Sequence, residues 1–231
     1  MAEEWLSREA ALIGEEGIAR LQAARVTVFG VCGVGSYTVE ALARAGIGSL
    51  TLIDGDTVAL SNLNRQLIAD HTTLGRSKAE VAAERVAHIH PACEVRACSV
   101  FADAGNTASL LEESRPTFIV DAIDSVTTKL LIATWAVEHD VPLIASMGTG
   151  NKLDPSRLTI TDLAKTSVCP LARVMRRELK SRGIYHLPVL FSTEEPVHTG
   201  MRTPASISFV PSTGGLLIAG YVVRRLLGLS H

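Results

Sequence analysis

RVTVFGVCGVGS, residues 25–36, is the stretch of sequence that decides the fold. Its first half is rich in β-forming residues, and glycines dominate its second half. A helix is predicted at residues 36–45, and a second β-rich run at 49–53 ends at Asp54. Strand, glycine turn, helix and strand within about 30 residues form a βαβ unit. The segment therefore predicts the start of a parallel sheet.

The same alternation continues to about residue 150. The sequence predicts helices at 76–90, 106–113 and 126–139, and strands at 94–100, 117–121 and 142–146. This rhythm is typical of an α/β fold with a Rossmann-like, mostly parallel sheet and helices on both faces. Ligands of such sheets bind beyond the carboxyl ends of the strands.

The pattern changes in the C-terminal half of the chain. We expect strands at 157–161, 187–192 and 206–210 and a helix at 169–182, so that antiparallel strands extend the sheet. The apolar stretch 214–229 is shorter than the roughly 20 residues that a membrane-spanning helix needs. It is predicted to be a buried helix, with peripheral contact to a membrane surface as the alternative.

Composition excludes several classes of protein. The chain has 231 residues, of which 47% are hydrophobic and 20% charged, which is incompatible with disorder. A net charge of -2 means that nucleic acid would have to bind through a local basic patch. The four cysteines form no Cys-x-x-Cys pair, so no structural zinc is expected. The N-terminus shows no signal peptide, and a cytoplasmic location is the expectation.

A nucleotide site is predicted where the first strand meets the first helix. Gly30, Gly33 and Gly35 allow the backbone to approach a phosphate, and the helix that starts at Ser36 attracts negative charge. Asp54, at the end of the second strand, is placed to accept hydrogen bonds from ribose hydroxyls. Both NAD and ATP contain that ribose, so these residues alone leave the nucleotide open.

Cys32 lies where the dinucleotide-binding fingerprint usually has its middle glycine. At a helix N-terminus its thiol is either acidified and reactive or a small side chain that the loop tolerates.

The residues after Asp54 favour a triphosphate. Segment 56–66 is rich in amide side chains and includes Arg65, and the cations Arg76 and Lys78 follow it. Such groups suit a leaving pyrophosphate whose charge must be neutralised, a need that hydride transfer does not have. Asp124, after a later strand, is placed to hold Mg²⁺ against phosphates; its alternative role is to cap the next helix.

Together these motifs resemble the ubiquitin-activating, ThiF/MoeB/HesA-type adenylating superfamily over about residues 6–227. The matching segments are 30–36, 61–66, Lys78 and 121–125. Within the superfamily, segments 161–166, 170–172 and 191–194 resemble the tRNA threonylcarbamoyladenosine dehydratases. The resemblance implies one ThiF-type domain, with a helical arm at 1–24, a nucleotide-binding part at 25–150 and a substrate-side extension at 151–231.

The resemblance also implies a site that uses ATP and Mg²⁺. Asp54 would bind the ribose, Asp124 the magnesium, and Asn62, Arg65 and Lys78 the phosphates. The whole nucleotide-binding set is then Gly30, Gly33, Gly35, Ser36, Asp54, Asp56, Asn62, Arg65, Gln66, Lys78 and Asp124. Arg8 matches an arginine that reaches the phosphates of the neighbouring subunit in relatives, which implies a homodimer and a catalytic set of Arg8, Arg65, Lys78 and Asp124. An exposed residue of an amphipathic helix is the alternative for Arg8.

The implied reaction is ATP-dependent cyclisation of threonylcarbamoyladenosine at position 37 of tRNA, through adenylation of its carboxylate. The alternative is adenylation of the diglycine end of a ubiquitin-like sulfur-carrier protein, against which the missing Cys-x-x-Cys motifs count. An NAD-dependent oxidoreductase would leave Arg65, Lys78 and Asp124 unexplained. Cys169 precedes a helix and is either a catalytic thiol or a structural residue. A cysteine desulfurase or sulfur-acceptor partner stays open.

A basic helix face is the candidate contact for tRNA. Arg173, Arg176, Arg177 and Lys180 recur at spacings of three and four, which places them on one face of a helix. In a nearly neutral protein such a stripe is suited to the tRNA phosphate backbone. A solvated helix face without a partner is the alternative.

Overall fold

The computed structural model describes residues 3–201 and 203–229. Seven strands form one sheet in the order β3-β2-β1-β4-β5-β7-β6. The strands are β1 (Arg25–Phe29), β2 (Ser49–Ile53), β3 (Glu94–Cys98), β4 (Phe118–Asp121), β5 (Leu143–Ser146), β6 (Leu158–Asp162) and β7 (Pro188–Ser192). β1 to β5 are parallel, and β7 pairs parallel to β5. The predicted α/β class is confirmed.

Helices cover both faces of the sheet. They are α1 (Ser7–Ala23), α2 (Gly35–Arg44), α3 (Lys78–Ile89), α4 (Thr107–Ser114), α5 (Val126–Glu138), α6 (Pro170–Lys180) and α7 (Phe209–Leu226). Helices α1, α2, α3 and α7 share one core with Val28 of β1, whereas α4, α5 and α6 share the other with Phe29. Because neighbouring strand residues point to opposite faces, β1 belongs to both cores.

The chain reverses its direction of sheet growth at β1. From β1 the sheet grows outward through β2 and β3, and it then returns to place β4 on the other side of β1. Such a switch point leaves a crevice beyond the carboxyl ends of the two central strands. The residues that follow β1 and β4, including Gly30 and Asp124, therefore meet at one edge of the sheet.

The C-terminal half matches the prediction except at one segment. β6 pairs antiparallel to β7, as expected. The strand predicted at 206–210 is wrong, because helix α7 begins at Phe209. The β-forming residues there lie in the first helical turn, where Pro211 is tolerated because its missing N–H would have no partner. Packing against α2 overrides local β propensity at this point.

Helix α7 lies directly on α2. A Cβ on Gly215 would lie 2.3 Å from the carbonyl oxygen of Val34, so only glycine permits this approach. The Thr38 hydroxyl donates a hydrogen bond of 3.0 Å to the Gly215 carbonyl. Ile218 and Val222 are fully buried, whereas Leu216 and Leu217 are exposed, so the predicted C-terminal helix is buried on one face only. Within the described chain, none of the helices is long and apolar enough to cross a membrane.

Candidate functional site

The loop between β1 and α2 depends on glycine at two positions. Gly30 has a φ of +85°, and a Cβ there would lie 2.9 Å from the carbonyl oxygen of Ala122. A Cβ on Gly35 would lie 1.8 Å from the carbonyl oxygen of Gly30. The loop is therefore folded tightly on itself and against the turn after β4. This conformation directs the N-terminus of α2 toward the crevice, where a phosphate would be stabilised.

Asp54 organises the same loop from the end of β2. It is buried, and its Oδ2 accepts a 2.7 Å hydrogen bond from the backbone amide of Val31. Its Oδ1 accepts a 2.9 Å bond from the amide of Asp56. The predicted ribose-binding carboxylate is thus fixed in position by backbone amides, and it lines the cavity described next.

A cavity of about 210 Å³ lies at the carboxyl ends of β1, β2 and β4. Its polar lining includes Gly30, Asp54, Asp56 and Asp124, all predicted to bind the nucleotide. Its apolar lining, which the sequence analysis did not identify, includes Val100, Phe101, Ala102 and Ile123. Apolar residues immediately after β3 were the available signal, because the carboxyl ends of neighbouring parallel strands share one edge.

Lys78 holds a positive charge against Cys32 and Asp56, two residues that line this cavity. Its Nζ lies 2.9 Å from Asp56 Oδ2 and 3.6 Å from Cys32 Sγ, and its side chain is 4% exposed. Burial lowers the pKa of Lys78, but Cys32, Asp56 and Asp54 together raise the pKa above its usual value. The ammonium group therefore stays protonated at neutral pH. It is preorganised for an anion that enters the cavity.

The environment of Cys32 excludes an acidified thiol. Burial and the neighbouring Asp54 raise the pKa of Cys32 to about 12, although Lys78 opposes this shift. A thiol with that pKa is protonated at neutral pH, and only the thiolate is a strong nucleophile. Of the two sequence interpretations, a small side chain tolerated in the loop is the one that the surroundings support.

Asp124 is exposed at the turn between β4 and α5. Ser125 caps α5, because its hydroxyl accepts a 3.4 Å hydrogen bond from the amide of Thr128. The Asp124 carboxylate has no hydrogen-bond or ion-pair partner in the described part of the chain, and the residue lines the cavity. The capping role therefore belongs to Ser125. Asp124 is left as a carboxylate oxygen donor that a hard divalent cation would prefer.

A second group of ligand atoms is close enough to hold a metal ion. The ligand atoms of Cys32, Asp54 and Asp56 lie within 4.8 Å of one another, and this is the only such group found in residues 3–201 and 203–229. The ammonium of Lys78 already contacts two of the three. Because that cation occupies the position between them, Asp124 is the better candidate for magnesium.

Arg65 lies beside the glycine loop. A Cβ on Gly33 would lie 3.7 Å from Arg65 Cγ. Its guanidinium donates hydrogen bonds of 2.8 Å to the Ser61 carbonyl and 2.9 Å to Asn64 Oδ1. Both bonds come from one nitrogen, Nη1, so the rest of the planar group stays available to a ligand.

The other predicted residues of this segment are mainly buried. Asn62 Oδ1 accepts a 3.0 Å bond from the amide of Ala59. Ser36 Oγ accepts a 3.2 Å bond from the amide of Leu67 and so joins α2 to the segment. Gln66 Oε1 is buried with no hydrogen-bond partner among the described residues. Ser36 therefore joins the segment to the glycine loop and α2, whereas Asn62 stabilises the segment internally.

Arg76 is not among the residues that line the cavity, so the structure gives no support to its prediction as a second phosphate-neutralising cation. Its guanidinium forms an ion pair with Glu84 at the protein surface. Only Ser77 separates Arg76 from Lys78, but α3 begins at Lys78 and the turn before it directs the two side chains differently. The closeness of Arg76 and Lys78 in the sequence therefore did not indicate that their side chains point in different directions.

The predicted tRNA-binding face of α6 is only partly free. Arg173, Arg177 and Lys180 are exposed. Arg176 instead donates hydrogen bonds to the loop before α6, including one of 2.9 Å to the Thr166 carbonyl. Glu178 forms ion pairs with Arg177 at 2.9 Å and Arg182 at 3.5 Å, so a negative charge lies within the basic surface.

Two further predicted residues lie elsewhere on the fold. Arg8 is exposed in the first turn of α1. Cys169 is buried at the residue before α6.

The fold and this crevice define a class of protein: a nucleotide-binding, doubly wound α/β protein with charged residues around a glycine loop. The sequence pattern of the ThiF family covers residues 6–230, and the chain belongs to this family.

The chain is similar to tRNA threonylcarbamoyladenosine dehydratases. It is 37% identical to the Bacillus subtilis enzyme over 239 residues, which cover 96% of this chain and 94% of that protein. The Escherichia coli enzyme TcdA in complex with AMP has a TM-score of 0.91 to this structure, at 34% identity, with 98% of this chain and 96% of the other covered. A structure of TcdA with ATP has a TM-score of 0.90, with the same identity and coverage.

Proposed function

We propose that this chain is an ATP-dependent tRNA threonylcarbamoyladenosine dehydratase. The observation that carries the proposal is a cavity beside the glycine loop that Asp54 and Asp124 line, with the ammonium of Lys78 held against two further lining residues, Cys32 and Asp56. The high coverage of relatives with this activity supports the substrate assignment. Both the fixed ammonium and the free carboxylate suit a nucleoside triphosphate rather than a dinucleotide redox cofactor.

In the proposed reaction, the threonyl carboxylate of the modified base attacks the α-phosphorus of ATP. The bond to the β-phosphate breaks, pyrophosphate leaves, and a mixed anhydride with AMP forms. Lys78 and Arg65 neutralise charge that develops on the phosphate oxygens, which is positioning and electrostatic catalysis. The carbamoyl group of the same base then attacks the activated carbonyl and closes a ring, and AMP leaves. The sum is loss of one water from the tRNA as ATP becomes AMP and pyrophosphate.

Magnesium fits the donor set of this site. Asp124 offers an unpaired, solvent-accessible carboxylate at the cavity, and Mg²⁺ commonly binds one or two carboxylates together with phosphate oxygens. When bound, the ion neutralises phosphate charge. Asp124 is the residue that would hold it, while Asp54 keeps the loop and the ribose position in place.

The partners of the protein are part of the same proposal. A homodimer would bring Arg8 of one subunit to the phosphates bound by the other. The tRNA would lie against Arg173, Arg177 and Lys180, with Arg176 contributing through the loop it holds. In this arrangement residues 25–150 bind the nucleotide and residues 151–231 face the tRNA. The proposed location is the cytoplasm, because the tRNA substrate is found there.

Pyrophosphate exchange into ATP tests the proposal. Purified protein is incubated with labelled pyrophosphate, Mg-ATP and either threonylcarbamoyl-modified or unmodified tRNA. Exchange that requires the modified base is the expected result. Exchange that instead requires a small protein ending in diglycine would establish the sulfur-carrier alternative, and reduction of NAD would overturn adenylation. A Lys78→Met protein is the negative control for contaminating activity.

A further inference from the structure

A fully buried ion pair lies behind the turn that contains Asp124. Lys129, on α5, places its Nζ 2.9 Å from Oδ1 of Asp121 at the end of β4, and the side chains are 0% and 1% exposed. The same Nζ donates a 2.9 Å hydrogen bond to the carbonyl oxygen of Ser146 at the end of β5. Lys129 therefore joins the carboxyl ends of two adjacent strands.

Stability does not account for this pair. Moving two charges out of water costs several kcal/mol per ion, and apolar replacements of buried pairs are often neutral or stabilising. The pair is also incompletely satisfied, because Asp121 Oδ2 is buried without a hydrogen-bond partner among the described residues. Burial raises the pKa of Asp121, and the neighbouring Lys129 opposes that shift. An apolar core at this position would avoid all of these costs.

What the pair does hold is the turn at residues 122–124. Asp121 Oδ1 accepts a second hydrogen bond, of 3.3 Å, from the backbone amide of Ile123. The amide of Ala122 donates a 2.8 Å bond to the carbonyl of Phe29, at the end of β1. Ala122 is also the residue against which Gly30 is packed. The turn is thus fixed between the ion pair on one side and the glycine loop on the other.

We propose that Asp121 and Lys129 are positioning residues that hold the 122–124 turn so that the Asp124 carboxylate meets the metal bound to the ATP phosphates. This inference rests on the proposed function for its chemistry. Residues that orient a metal ligand typically change metal affinity by about 10- to 100-fold when they are replaced. Neither residue is among those that line the cavity, and both side chains are buried.

The test separates positioning from stability with a double substitution, Asp121→Leu and Lys129→Met. This variant removes both charges together, so it leaves no unpaired ion in the core. We expect its urea midpoint to equal or exceed that of the wild type. We also expect ATP affinity measured with Mg²⁺ to fall by about tenfold or more, whereas ATP affinity in EDTA stays within about twofold.

Amide hydrogen exchange of the ligand-free protein gives a readout that is independent of the reaction. The amide of Ala122 should exchange at least about tenfold faster in the double variant, although neither substitution removes its acceptor. Asp121→Val with Lys129→Leu, which also leaves no unpaired charge in the core, is the second variant if the first double one does not fold, and the same loosening is expected. Lys152→Met removes another buried lysine far along the chain and should leave Ala122 exchange unchanged.

Unchanged Ala122 exchange together with unchanged Mg²⁺-dependent ATP affinity in a folded variant would overturn the inference. A fall in ATP affinity that is equal with Mg²⁺ and with EDTA would also overturn it, because the pair would then support the fold of the pocket in general. If wild-type protein shows no exchange of pyrophosphate into ATP, the proposed function fails. The Ala122 exchange result still decides whether the ion pair holds the turn.

Discussion

The ammonium of Lys78 lies 2.9 Å from the carboxylate of Asp56, in a pair whose lysine side chain is 4% exposed and whose aspartate is 50% exposed. The asymmetry means that the cation is fixed by the protein while its partner faces the cavity and solvent. Because the ammonium is already desolvated, a phosphate that contacts it beside Asp56 would not have to desolvate it anew. Such preorganised charge lowers the barrier because it needs no rearrangement during the reaction.

Replacement of Lys78 by Met should abolish most of the activity. We expect kcat/KM for pyrophosphate exchange to fall by about 100-fold or more, the usual effect of removing one preorganised donor. Arg76→Ala is the matched control, because Arg76 lies two residues away but pairs with Glu84 at the surface. Exposed pairs contribute about 0 to 1 kcal/mol, so this control should keep near wild-type exchange and stability. Equal losses in both variants would contradict the assigned role of Lys78.

The contrast between these two cations shows what the sequence could reveal. The glycine loop, Asp54 and Lys78 were predictable because phosphate binding requires these residue types at fixed distances from a strand end. The direction of the Arg76 side chain was not predictable from the sequence, because a single turn before α3 decides which way it points. Helix α7 was misjudged at its start because local β-formers around Phe209 were outweighed by tertiary packing on α2.

The buried ion pair was beyond sequence analysis for a different reason. Lys129 occurs in a mainly apolar helix, and a lysine there would ordinarily be placed at the surface. Its partner Asp121 was recognised only as part of a motif. The register of β4 and β5, together with the rotation of α5 about its axis, brings the Lys129 ammonium to the Asp121 carboxylate. No local sequence pattern predicts this contact.

Asp124→Asn should change magnesium dependence without changing stability. The carboxylate is exposed and has no partner among residues 3–201 and 203–229, so its loss removes no native contact. We expect the Mg²⁺ concentration for half-maximal exchange to rise by about tenfold, measured by titration at fixed ATP. Ser125→Ala is the control: it removes the cap of α5 and should cost about 1 kcal/mol of stability. The Mg²⁺ concentration for half-maximal exchange should stay the same in Ser125→Ala. If Ser125→Ala changed the Mg²⁺ dependence and Asp124→Asn changed only the stability, the roles given to the two residues would be refuted.

The basic face of α6 should divide into binding and structural arginines. Arg173→Ala with Lys180→Ala should weaken tRNA binding and reduce the dependence of log K on log salt by about 1 per lost contact. Unfolding by urea should be unaffected, because both side chains are exposed. Arg176→Ala should instead lower the free energy of unfolding by about 1 to 3 kcal/mol, because it leaves the Thr166 carbonyl without its donor. A salt dependence identical to wild type in the double variant would exclude this face as the tRNA contact.

His90 should make the protein less stable in mild acid. It is 2% exposed, both ring nitrogens lack hydrogen-bond partners in the described chain, and its ring lies 5.0 Å from that of Trp5. Burial lowers the pKa of His90, although Glu3 opposes the shift. Below a pH of about 6.5, His90 therefore becomes protonated in the unfolded chain but stays neutral in the folded chain. The contribution of His90 to the free energy of unfolding is therefore fully present above that pH. It is lost as the pH drops toward the pKa of His90 in the folded protein.

Urea unfolding between pH 5 and 8 measures the effect of His90. His90→Phe keeps an aromatic ring beside Trp5 and should flatten the pH dependence by about 1.4 kcal/mol for each unit of pKa shift. His88→Asn, which replaces an exposed histidine in the last turn of α3, should leave the pH dependence as it is. If His90→Phe and the wild type lose stability in parallel, another group is responsible.

Mixing two inactive variants tests whether the site is shared between subunits. Arg8→Ala and Lys78→Met proteins should each be nearly inactive if every site needs its own Lys78 and Arg8 of the partner subunit. In a mixed dimer, the subunit with Arg8→Ala retains Lys78 and receives Arg8 from its neighbour, so one of the two sites is intact. Random exchange at equal concentrations makes about half of the dimers mixed, and about a quarter of wild-type activity should return. Because a residue acting within its own subunit would restore nothing, absence of recovery after demonstrated subunit exchange would place Arg8 outside the neighbouring site.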